Sequence, residues 1–186
     1  MTSRKGALFS LLFLATCTEG GDQTTDSVES AKNELGTVPA SEVATWKKYG
    51  AGTIPDERYL QSVAFDETRK VLVMFGGMAG YFTTPGPTQD VWEWSPATGA
   101  WTERVAVGSK PPARSGAGWV FDSTRNKFIL VGGRAGSGYN YQDTWEWDPT
   151  TGIWTDRTGA GPVPPARCQA MLTFEKSKDF VLLFGG

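Results

Sequence analysis

Three apolar runs, each closed by a glycine pair, set the rhythm of this chain: KVLVMFGG (70–77), NKFILVGG (126–133) and DFVLLFGG (179–186). Four or five consecutive apolar residues between turn-forming segments predict short strands buried on both faces. A different pattern follows the first two runs. DVWEW (90–94) and DTWEW (143–147) alternate, so period two puts Trp92 with Trp94, and Trp145 with Trp147, on one face of a strand. Upstream of each run lies a small-residue strand such as RSGAGWVFD (114–122), and a fourth strand opens at Trp101 and Trp154. The joints have turn chemistry. SPATGA and DPTTGI combine a proline that sets φ with a glycine free to take φ > 0, while DETRK, DSTRN and EKSKD join first strand to second. No helical periodicity appears in this part of the chain.

The same frame recurs. Arg58, Arg114 and Arg167 each precede an aromatic residue by seven positions (Phe65, Phe121, Phe174) and a Gly-Gly pair by eighteen. Asp90 and Asp143 each precede a tryptophan by eleven, Trp101 and Trp154. The units are 56 and 53 residues long, and the difference falls wholly between the glycine pair and the Asp. A period of this size indicates a repeat architecture.

A strand ending in Gly-Gly, then a spaced aromatic pair closing on Trp, resembles the kelch repeat of kelch and galactose-oxidase-like proteins. The resemblance covers 46–186. It implies an all-β fold, a kelch-type β-propeller of four-stranded blades: one blade at 58–106, a second at 113–159 and a half blade at 166–186. Trp46 stands where Trp101 and Trp154 stand before their next Arg, and so marks the last strand of a further blade. The expected total is eleven strands, two full blades plus partial blades at each end. Propellers close with four to eight blades. The reading therefore expects an incomplete ring, with on the order of 150–200 further residues beyond Gly186; ring completion by self-association is the alternative. Two departures are visible: Trp92 and Trp145 stand where kelch repeats often carry Tyr, and no His follows the opening Arg.

Composition agrees with a β-rich body: 12% aromatic, eight Trp, 23 Gly and 11 Pro in 186 residues. The N-terminus is different. Arg4 and Lys5 precede the apolar run ALFSLLFLA (7–15), too short to span a bilayer, and Cys17 follows at once. Leu14-Ala15-Thr16-Cys17 resembles a bacterial lipobox, which implies a signal peptide over 1–17 and lipidation of Cys17; Thr16 departs from the usual small residue, so plain secretion is the second reading. Residues 18–45 contain no aromatic side chain and few large apolar ones, the composition of a disordered tether. The expected location is thus the cell envelope of a bacterium, with the membrane engaged only through a lipid anchor, or the exterior. Cys168 then has no intrachain partner for a disulfide.

The formal charge of −2 offers no attraction for nucleic acid. With no His in the chain, Ser-His-Asp and Cys-His catalysis and imidazole ligation are absent, and nothing supports the copper site of galactose oxidase, which needs His as well as Tyr ligands. Asp90, Glu93, Asp143 and Glu146 repeat with the scaffold, which marks them as structural rather than as a catalytic pair. No catalytic residue, metal or cofactor is expected. The segments 78–88 and 134–141, where the repeats disagree, carry the residues for recognition: Tyr81, Phe82, Arg134, Tyr139 and Tyr141. The resemblance adds Arg58, Arg114 and Arg167 on the same face, either bracing blades or holding a ligand. The expected function is a binding module for a protein or peptide, with a glycan as second ligand class. The alternative is part of an enzyme whose catalytic residues lie in further blades.

Overall fold

The computed structural model describes residues 52–80, 86–159, 161 and 163–186. The leader, the tether, Cys17, Trp46, Tyr81 and Phe82 lie outside the described residues. The described part is all-β, with eleven strands and no helix. They are β1 (Arg58–Tyr59), β2 (Ser62–Asp66), β3 (Val71–Ala79), β4 (Gly86–Ser95), β5 (Ala100–Arg104), β6 (Gly118–Asp122), β7 (Lys127–Val131), β8 (Thr144–Trp147), β9 (Trp154–Asp156), β10 (Met171–Glu175) and β11 (Phe180–Phe184).

The strands form antiparallel meanders. β2-β3-β4-β5 and β6-β7-β8-β9 are two complete blades, and β10-β11 begins a third. This is an incomplete kelch-type β-propeller, and its sheets do not close a ring. The total of eleven hides one exchange. The expected strand at Trp46 is not described, while β1 is an extra two-residue strand that pairs Arg58 with Ala79 and Tyr59 with Met78. It forms because β3 runs on past its glycine pair through a bulge between Phe75 and Gly77, which offers β1 a free edge.

The turns follow the sequence chemistry. Asp66 and Asp122 cap the hairpins between first and second strands, each carboxylate accepting two backbone N–H bonds at 2.8–3.0 Å. Lys70, Asn126 and Asp179 take the left-handed position of those hairpins, with φ of 54–57°. Gly152 does the same between β8 and β9, its N–H donating to Asp148 O at 2.8 Å.

The core lies between blades. Phe75 of β3 packs on Trp119 of β6 and edge-on against Trp154 of β9, with ring centroids 5.8 and 5.2 Å apart. Trp119 Nε1 also donates to Val73 O across the junction, at 3.3 Å. Trp147, Phe128 and Phe121 extend the cluster within the second blade. The glycine pairs belong to the same junctions. A Cβ on Gly76 would stand 2.6 Å from the carbonyl oxygen of Arg114, and one on Gly132 would stand 2.5 Å from that of Arg167. Only glycine lets the next blade's opening Arg approach so closely, and that carbonyl accepts the N–H of the second glycine, Gly77 or Gly133. In β11 the expected two-sided burial is not met: Phe180, Leu182 and Phe184 are exposed because no described residue covers that side.

Candidate functional site

The three repeated arginines act first on the scaffold. Arg58 forks onto Asp90 at 2.7 and 2.9 Å and also donates to Asp56 O and Gly76 O. Arg114 repeats this on Asp143, Pro112 O and Gly132 O, with its side chain fully buried. In each case the indole of β4 or β8, Trp92 or Trp145, donates to the same carboxylate, at 2.7 and 2.8 Å. Burial of Asp90 opposes ionisation, but the bonds from Arg58, Thr88 and Trp92 outweigh it and hold its pKa below the usual range. Arg167 makes the two carbonyl bonds, to Pro165 O and Gly185 O, but meets no carboxylate among the described residues.

The other repeated acids form a second ladder. Asp66 binds Arg69, which reaches Glu93, whose other oxygen accepts from Arg104; Asp122, Arg125, Glu146 and Arg157 repeat the chain. Arg104 also donates to Pro149 O at 3.0 Å, tying the first blade to the second. Every one of these carboxylates is occupied by guanidinium, so none is poised as a general base. No group of three or more Cys, Asp and Glu side chains among the described residues is placed to hold a metal.

Segment 134–141 is a tight hairpin. Tyr141 N donates to Gly133 O and Ala135 N to Tyr139 O, both at 2.8 Å, and Arg134 is bridged to Asn140 and Ser115. Paired residues share a face, so Tyr139 and Tyr141 lie on one side and Arg134 with Asn140 on the other. The guanidinium of Arg134 accordingly lies over Gly138, its Nη2 3.3 Å from where a Cβ would be. The two tyrosine rings meet edge to face at 5.6 Å, and Arg114 stacks on Tyr141 at 4.0 Å. Tyr141 is thereby anchored, while Tyr139 remains 62% exposed.

Beside the tyrosines opens a cleft of 370 Å³ lined also by Gln142, Thr158 and Val163. Gln142, Thr158 and Val163 were not singled out from the sequence. The signal was present in the connections between blades: Thr158 and Val163 stand where the first repeat has Val105 and Lys110. The first blade has the equivalent cleft, of 520 Å³, but Thr88 and Lys110 replace Tyr141 and Val163 and make it polar. The same scaffold position therefore carries an aromatic, mostly apolar hollow in one blade and a charged one in the other.

Residues 20–186 match the family model described as the KLHDC2/KLHL20/DRC7 Kelch-repeats domain. The chain belongs to this kelch-repeat family. Among curated proteins, dynein regulatory complex subunit 7 of Chlamydomonas reinhardtii is 27% identical over 116 residues, 62% of this chain. The matched kelch segment covers about a tenth of that relative's length.

Proposed function

We propose that this kelch-repeat chain is an interaction module that takes a protein or peptide ligand in the cleft beside Tyr139 and Tyr141. One observation carries the reading: Tyr139 is 62% exposed, braced edge-on by Tyr141, on a loop that differs between the repeats. A large aromatic ring held rigidly in water gives much contact area at little entropic cost when a partner covers it. Arg134, on the other side of the hairpin, serves a separate contact. Family membership supports an interaction role in general. The test is recovery of partners on the full chain against Tyr139→Ala and Arg134→Ala variants. We expect a specific partner to be lost at least tenfold with Tyr139→Ala, and equal recovery from the unaltered and Tyr139→Ala chains overturns the reading.

We further propose that the module is exported and tethered to a cell envelope through lipid on Cys17. The support is the sequence of the leader and the composition of 18–45. Metabolic labelling with a radiolabelled fatty acid checks it: label is expected on the unaltered chain and absent from Cys17→Ser, and an unlabelled chain overturns the anchor.

A further inference from the structure

The cleft of the first blade holds two charges that the scaffold does not use. Among its lining residues, Arg104 donates to Glu93 and to Pro149 O, and Asp90 is gripped by Arg58 and by the indole of Trp92. Glu103 and Lys110 line the same 520 Å³ cleft, both exposed, and neither makes an ion pair or hydrogen bond among the described residues. The second blade has no such pair. There Asp156 stands for Glu103, and its carboxylate accepts the N–H of Thr158 at 2.8 Å, while Val163 stands for Lys110. Side chains that brace a repeated fold recur with it, as Asp90 and Asp143 do. A free cation and a free anion in one cleft of a single repeat do not recur, which is the mark of surface shaped by a ligand. The cleft also adjoins the hairpin of the tyrosines: a Cβ on Gly136 would stand 3.1 Å from Cδ of Pro87, which lines the cleft.

We infer that the first-blade cleft is a second recognition pocket, for a protein segment that carries an acidic and a basic side chain close together. The acid pairs with Lys110 and the base with Glu103. A ligand with charges of one sign gains at one of these residues and is repelled at the other, so the pair selects for mixed charge. Gln89, whose amide both donates and accepts, lines the same cleft without a partner among the described residues, and Val105 offers apolar cover at 83% exposure. Because Pro87 and Gly136 pack together, one extended segment can pass from this cleft across the hairpin and place an apolar residue beside Tyr139. That last step rests on the proposed role of the tyrosine cleft; the charge pairing at Glu103 and Lys110 does not.

Random dodecapeptides displayed on phage are selected on the full chain, and the most enriched peptide is labelled and titrated by fluorescence anisotropy. It is expected to carry an acidic and a basic residue and to bind more weakly as salt rises. Lys110→Glu and Glu103→Lys each alter an exposed side chain outside the scaffold, so the urea midpoint should hold while affinity falls at least about fivefold. The deciding measurement is rescue. Lys110→Glu should regain affinity for a peptide whose acidic residue is replaced by Lys, and Glu103→Lys for one whose basic residue is replaced by Glu. No enrichment, a selected peptide without both charges, affinity indifferent to the reversals, or loss without rescue overturns the pocket. Tyr139→Ala separates the two clefts. If it abolishes binding while the reversals cost nothing, the tyrosine cleft stands and this pocket falls. If the reversals and their rescue persist while Tyr139→Ala is silent, the pocket stands and the tyrosine cleft falls.

Discussion

Arg114 and Asp143 lie twenty-nine residues apart in sequence and meet through two parallel bonds, the Nη2···Oδ2 contact being 2.7 Å. The Arg side chain is fully buried and the carboxylate nearly so, at 0% and 18% exposure. Because the pair joins the first strand's approach to the start of the third strand of the same blade, it fixes where the loop carrying Tyr139 and Tyr141 ends. Removing one partner leaves a buried charge uncompensated. Asp143→Ala should therefore cost about 3–5 kcal/mol, read as a fall in the urea midpoint, whereas Arg157→Ala, on an exposed pair, should cost under about 1 kcal/mol.

Trp154 carries the junction between the first two blades, touching Phe75 and Trp119. Trp154→Ala should lower stability by about 3–5 kcal/mol through the lost contacts and the cavity left behind. Urea denaturation measures it. Tyr139→Ala is the control, expected within about 0.5 kcal/mol of the unaltered chain, because its ring is largely in water.

Gly132 has φ near 62° and its missing Cβ would lie 2.5 Å from the Arg167 carbonyl oxygen. Gly132→Ala is strained both by backbone and by contact, so it should destabilise by about 2 kcal/mol or more and loosen the β10–β11 blade first. Faster hydrogen exchange at Met171–Phe184 before global unfolding is the expected signature. Gly86→Ala, at a glycine with open space around it and no positive φ, should not produce it.

Acid should weaken the second blade in a defined window. Burial is the largest single influence on Asp148 and opposes its ionisation, but the bonds from Lys127 and the N–H groups of Thr150 and Thr151, with the Lys127 charge, together outweigh it and push its pKa down to about 2 from 3.8. A depressed folded-state pKa adds stability above the unfolded value, and that stability is lost as pH falls through the folded one. The contribution is thus complete above about pH 4 and fades toward pH 2. Lys127→Met should flatten this part of the stability–pH profile, measured by thermal melts at stepped pH.

Period and turn chemistry alone determined the strands of the two complete blades and the β10–β11 hairpin, though not β1, together with the repeat unit and the scaffold role of the recurring acids. Each of these is local, or repeats at a fixed spacing, and is written into residues such as the Gly-Gly pairs and the D-x-W-E-W strands. The sequence also picked out 134–141 by its disagreement with the first repeat. It did not separate Arg134 from the tyrosines, because which face of a hairpin a side chain takes depends on register, and the bridges from Arg134 to Ser115 and Asn140 set that register. Nor did it reveal that Arg58 and Arg114 are held on Asp90 and Asp143, or that Thr158 and Val163 join Tyr139 in one cleft. Those contacts span nineteen or more residues and arise only when the connection between blades folds back beside the loop. Tertiary packing decided which of the repeated side chains were held within the scaffold and left Tyr139 exposed beside the cleft.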